Sequence, residues 1–128
     1  MGIERFSSGV PWEATVGYSR AVRAGPLLFV AGTTAADENG VVAAPGDAYG
    51  QTVHALDALE DALALAGGRL EQVVQTRIYV TDIARSGEVG RAHGERFGAI
   101  RPVSTMLEVA ALIDPRMLVE IEALAYVG

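Results

Sequence analysis

Residues 101–128 read RPVSTMLEVAALIDPRMLVEIEALAYVG, and two runs within them alternate apolar and polar side chains. A period of two is what a half-buried strand requires, since successive side chains point to opposite faces of a sheet. The first run is STMLEV at 104–109; the second is LVEIEALAY at 118–126. Between them Asp114-Pro115-Arg116 signals a turn, because Pro115 fixes its own φ and pushes Asp114 out of the helical region. In the second run Val119, Ile121, Ala123 and Ala125 share one face, and Glu120, Glu122, Leu124 and Tyr126 share the other. That strand is apolar enough to be central. Two carboxylates in its middle therefore need partners or a function if their face is covered.

Working backwards, residues 72–82 form another strand. Val74, Thr76, Ile78 and Val80 are expected on one face, with Val73, Gln75, Arg77 and Tyr79 on the other. A helix is expected from about Ser86, with Val89, His93, Phe97 and Ile100 as its apolar stripe. Gly90, Gly94 and Gly98 recur four apart on a second face, a pattern expected to mark tight helix packing. Upstream, Val53, Leu56, Leu59, Leu63 and Ala66 give a helical period from Asp47 until Gly67-Gly68 stops it. His54 beside that stripe and His93 on the other lack a partner at metal-ligand spacing. Both are read as structural, His93 as packing or bonding a backbone group.

Residues 16–23 alternate, with Tyr18, Arg20 and Val22 on one side. Gly25-Pro26 then turns the chain into a buried strand at 27–31, making a hairpin. Asn39-Gly40 marks a further tight turn. Residues 1–15 are expected to be a loop with a short leading segment, in which Trp12 packs. The order strand-strand-helix-strand-helix-strand-strand predicts an α+β domain, a mixed sheet with both helices on one face. The helices are expected against Val74/Ile78 and Val119/Ile121. The opposite face would then carry Tyr18, Arg20, Arg77, Tyr79, Glu120 and Glu122. Glu120 and Glu122 either pair with Arg20 and Arg77 to hold subunits in register or serve a function.

Composition narrows the chemistry. The 128 residues suit one domain, and a 50% apolar content is high enough to suggest an oligomer interface. There are no cysteines, and all ten basic residues are arginine, which removes thiolate, disulfide and Schiff-base chemistry. The net charge of −6 disfavours nucleic acid as a partner. No apolar run is long enough to span a bilayer and no signal peptide is evident, so a cytoplasmic location away from membranes is expected. Neither metal nor cofactor is expected.

The C-terminal stretch resembles the signature of the YjgF/Rid family of reactive intermediate deaminases, also known as L-PSP endoribonucleases. That signature runs P-A-R-S-x-V-E-V-A-x-L-P, then V-E-I-E-A-I-A. Pro102, Leu107-Glu108-Val109-Ala110, Leu112 and Val119-Glu120-Ile121-Glu122-Ala123 fall in register with it. Gly17-Tyr18, Phe29-Val30-Ala31-Gly32 and Tyr79-Val80-Thr81-Asp82 extend the likeness upstream. The resemblance implies a chorismate-mutase-like fold and a homotrimer with small-molecule sites in three clefts between neighbours. It also implies hydrolysis of imines, with Glu120 orienting or activating water and Tyr18 closing the pocket. The arginine that grips a substrate carboxylate in the family is Ser104 here. A family serine is Ala31, and a family asparagine aligns with Gly90. Without that clamp the expected ligand is a small carbonyl, imine or enamine other than the archetypal 2-imino acid. The alternatives are a true 2-imino acid deaminase in which Arg20, or failing that Arg101, replaces the missing charge, and a non-catalytic ligand-binding or chaperone-like trimer.

Overall fold

The computed structural model describes residues 2–128; Met1 lies outside them. Six strands and three α-helices follow in the order β1 (Ile3–Phe6), α1 (Pro11–Val16), β2 (Ala21–Ala24), β3 (Leu27–Thr33), α2 (Ala48–Leu65), β4 (Val73–Val80), α3 (Ser86–Phe97), β5 (Val103–Glu108) and β6 (Val119–Tyr126). They form one mixed sheet in the order β1-β2-β3-β6-β4-β5. The last strand is inserted at the centre. β6 runs antiparallel to both β3 and β4, while β4 and β5 are parallel and joined through α3. A parallel pair needs such a crossover, and α3 supplies it.

The alternation read in β6 holds. Val119, Ile121 and Ala125 are fully buried and Ala123 nearly so, against α2 on one side of the sheet. Leu56, Leu59 and Leu63 of α2 and Phe97 of α3 fill the same core, with Leu28 and Ile78 from the sheet. Burying each such side chain contributes about 1.5–3 kcal/mol. Asp47 caps α2 by accepting a hydrogen bond from the Gly50 amide at 2.9 Å.

Several expectations change. The stretch 2–15 is not a loop: it contains the edge strand β1 and the six-residue helix α1. Pro11 opens α1 at a position where its missing N–H costs nothing. Gly17, at φ +91°, ends it with its amide on the Glu13 carbonyl at 2.9 Å. The run at 16–23 is accordingly strand only from Ala21; Tyr18 and Arg20 lie in the connection after α1. In β4 an irregularity in its pairing with β6 between Val73 and Gln75 shifts the phase by one residue. Val73 therefore faces the core with Thr76, Ile78 and Val80, and Val74 is 44% exposed.

β5 pairs only with β4, and most of its side chains are exposed. The glycine row does not pack. A Cβ on Gly90 or Gly94 would meet nothing within 4 Å, and one on Gly98 would meet only α3's own Gly94 carbonyl region. Equal spacing puts glycines on one face without saying which way that face points.

Candidate functional site

The face of the sheet opposite α2 and α3 carries the charges that alternation placed there, and it resolves them into two groups. Glu122 is satisfied. Tyr79, diagonally placed on β4, donates its hydroxyl to Glu122, and Arg77, directly across from Glu122, lies 3.8 Å away. That bond, above all, raises the Tyr79 pKa. Glu120 has no hydrogen bond or ion pair among the described residues. Burial raises its carboxyl above the ordinary 4.5; Arg20 draws it back, and Glu122 adds to the rise. The two glutamates are two residues apart on one strand and differ entirely in environment.

Glu120 lines a cleft of about 570 Å³ with Trp12, Tyr18, Arg20, Thr33 and Met117. A neighbouring hollow of about 440 Å³ shares Tyr18 and takes in Phe29, Ala31, Arg77, Glu122 and Leu124. Three separate pieces of chain build the first cleft. α1 with the residues after it brings Trp12, Tyr18 and Arg20; β3 brings Gly32 and Thr33; the β5–β6 connection brings Ile113, Asp114 and Met117. Trp12 is 37% exposed on the wall.

Arg20 sits at the junction. Its Nη2 donates to the Gly32 carbonyl at 2.7 Å, and its Nε is buried without a partner. It makes no ion pair within 4 Å among the described residues, although its charge acts on Glu120 and on Glu13. Glu13 is buried, and burial raises its pKa. Hydrogen bonds from Ser8 and Ser7, with Arg20's charge, outweigh that and hold it below the ordinary value. Gly32 matters by its size: a Cβ there would stand 2.5 Å from Glu120 Oε2. The carboxylate lies directly over the backbone of β3.

The far wall is pinned from the core. Fully buried Gln51 donates to the Arg116 carbonyl at 2.9 Å and accepts from the Leu118 amide at 2.8 Å. Asp114 and Arg116 add a two-pronged pair at 2.9 and 2.7 Å, which holds the Asp114 carboxyl down at about 2. Gln51→Leu strands both backbone groups. Urea unfolding should show a loss of about 1–3 kcal/mol, the usual cost of leaving such buried groups unpaired.

Not every residue expected in the site lies there. Ser104 accepts a 2.8 Å hydrogen bond from Thr76 Oγ1, which in turn contacts His93 Nε2 at 2.9 Å. Which of Thr76 and His93 donates in that contact follows the imidazole tautomer. His93 thus bonds a side chain rather than the backbone. Its ring also lies 4.7 Å from Phe97, and burial lowers its pKa. This chain of bonds is on the helix side of the sheet, opposite Glu120. Gly90 is exposed on α3, and Arg101 is exposed before β5 at φ +58°. Within one chain neither joins the cleft, and His54 is a surface residue of α2. Trp12, Gly32, Asp114 and Met117 are the cleft residues that sequence reasoning missed. Val10-Pro11 followed by Glu13 was the local signal for the helix that carries Trp12.

The family model described as Endoribonuclease L-PSP matches residues 10–127. The chain belongs to the YjgF/Rid family. Among YjgF/Rid relatives, a crystal structure of a family member from Mycobacterium tuberculosis is 54% identical, covers 98% of this chain and 100% of that one, and superposes with a TM-score of 0.87. An uncharacterised protein of Streptomyces coelicolor is 42% identical over 98% of this chain and 93% of its own length. The 3-aminoacrylate deaminase RutC of Acinetobacter baylyi is 34% identical over 86% of each chain. The mixed sheet with two main helices is the fold of this family. Among the described residues no helix is long and apolar enough to cross a membrane.

Proposed function

We propose that this YjgF/Rid protein hydrolyses a small imine or enamine to a carbonyl compound and ammonia in the Glu120 cleft, working as a homotrimer. The observation that carries the reading is the unpaired, partly buried Glu120, raised in pKa, in a cleft with a tyrosine and an arginine. A carboxylate so placed is poised to act as a base nearer to neutral pH than an ordinary glutamate. The deaminase among the relatives supports the choice of reaction.

In the proposed step, a water oxygen attacks the imine carbon while Glu120 takes the water proton. The bond to carbon forms as the C=N pair moves to nitrogen. Glu120 then returns the proton to nitrogen to give the carbinolamine. It next carries the hydroxyl proton to nitrogen as the C–N bond breaks, so ammonia leaves with the C–N electron pair and the carbonyl forms. Tyr18, on the rim, closes the cleft over the substrate. The apolar residues left open on a single chain support oligomerisation, Phe29 at 45% and Val103 at 67% exposure among them. Ser104, Arg101 and Gly90 take part only if a neighbouring copy presents them to the cleft, and Ala31 acts from the adjoining hollow. RNA cleavage is a poorer reading at a net charge of −6.

The test is ammonia release from freshly generated imines, from amino acids and from simple amines alike. Acceleration over buffer on any of them is expected, and acceleration on none overturns the reading. Sedimentation at micromolar concentration is expected to give three chains per particle.

A further inference from the structure

We infer that the Glu120 cleft selects a cationic iminium that carries no carboxylate, so that its substrates derive from simple amines rather than from amino acids. The inference rests on the deaminase reading for its chemistry and on the charges around the cleft for its specificity.

The ionisable groups that line the cleft are Arg20, Asp114 and Glu120, with Tyr18 beside them. Asp114 is neutralised by the two-pronged contact to Arg116. Among the described residues of one chain Arg20 is the one cation on the wall; its Nη2 is held by the Gly32 backbone carbonyl and its Nε is buried. Its charge is divided between Glu13 beneath and Glu120 beside it. One guanidinium thus faces two carboxylates. With Glu120 ionised the cleft lining carries no spare positive charge, and Glu13 behind it draws on the same guanidinium.

An incoming carboxylate would reach Arg20 only beside Glu120, with which it would share that charge. Like charges brought together in a partly buried site are strongly disfavoured. An iminium cation meets the opposite situation. Glu120 supplies the counter-charge it lacks, and the exposed parts of Trp12 and Tyr18 offer aromatic surface that attracts cations. Val16 and Ile113, at 73% and 92% exposure, add apolar lining suited to an alkyl group. The protonated imine is also the form that water attacks most readily, so the group that binds the cation is the group that takes the water proton. No acid need be supplied by the protein at the start of the reaction, since the substrate arrives protonated.

Two measurements test this. The first compares kcat/KM for size-matched imines made in place by an amine oxidase and by an amino-acid oxidase. A preference of at least about tenfold for the carboxylate-free imine is expected, equivalent to about 1.4 kcal/mol. Equal or better use of the amino-acid imine overturns the specificity and leaves the deaminase reading intact; no turnover of either overturns the deaminase reading. The second needs no catalysis. Trp12 is the chain's one tryptophan, so its fluorescence reports on the cleft wall. Isobutylammonium should give a saturable change that Glu120→Gln weakens at least tenfold, and isobutyrate should give none. Saturable binding of isobutyrate with no response to isobutylammonium would overturn the inference whatever the turnover shows. Arg20→Gln separates the remaining case. A loss confined to carboxylate-bearing imines would make Arg20 a carboxylate clamp and defeat the proposal, whereas equal loss on both classes agrees with it.

Discussion

Glu120→Gln is expected to lose about 10²–10⁴-fold in kcat, the range for removing a general base, while the protein becomes more stable at neutral pH. Glutamine keeps the size of the side chain and its place over Gly32 but cannot hold the water proton. The stability gain follows from the sign of the pKa shift. Burial raises the Glu120 carboxyl above 4.5 in the folded protein, so between 4.5 and that raised value the folded state holds more protons than the unfolded one. Stability then falls as pH rises through that window, and the cost persists above it. Below 4.5 both states are protonated and the two proteins should unfold alike. Urea midpoints at pH 7 and at pH 4 check this. A glutamine variant less stable than wild type at pH 7 would mean that attraction to Arg20 outweighs burial. The acid limb of the wild-type rate should likewise sit above the ordinary carboxylate range, since the working form is ionised.

The strands and helices that were legible in the sequence are those that bury one face against many neighbours. β6 and α2 show their period because one face of each meets a packed core, and β3 shows as an unbroken apolar run. β1 was not legible for the converse reason: three of its four residues are exposed, so no alternation marks it. α1 spans under two turns, too short for a helical period to declare itself. Val74 went to the wrong face because counting by twos assumes an unbroken ladder, and the irregularity at that point breaks it. In each case the missing information was a neighbour, which one strand's pattern does not contain.

The site divides along the same line. Glu120 stood out by its polarity within an apolar strand and Tyr18 by family resemblance. Arg20 was set beside Tyr18 by an alternation that the structure replaces with the connection after α1, and all three line the cleft. What distinguishes Glu120 from Glu122 was not legible: Tyr79 stands directly across from Glu120 in the β4–β6 register, yet its hydroxyl turns to Glu122, which Arg77 also faces. Trp12, Asp114 and Met117 come from segments far apart in the chain, and only folding brings them to one wall. Ser104 and Gly90 were picked out by resemblance to a motif. Within one chain they lie on the helix side, away from Glu120, so any part they take in the cleft depends on a neighbouring copy.

Gly32→Ala should reduce turnover by about a hundredfold, the scale of loss from moving a catalytic group by an ångström, while leaving the fold in place. Gly32 lies outside the left-handed region, so the backbone itself accepts alanine. The added methyl would lie 2.5 Å from Glu120 Oε2 and 2.9 Å from its Cδ. Both atoms are at the free end of a side chain, so the carboxylate moves and the strand does not. Its new position is away from the backbone of β3 and from the Arg20 guanidinium held on the Gly32 carbonyl. The cost in stability should be about 1–3 kcal/mol at most, as for other overpacked sites. Gly94→Ala is the matched control: open space surrounds it, and a helical alanine should add about 0.5–1 kcal/mol of stability without touching the rate. The decisive measurement is the double variant. If Gly32 acts through Glu120, alanine at 32 should cost almost nothing further once Glu120 is glutamine, because the group it displaces no longer works. A full hundredfold loss in that background would mean that Gly32 serves the substrate directly, through the backbone of β3.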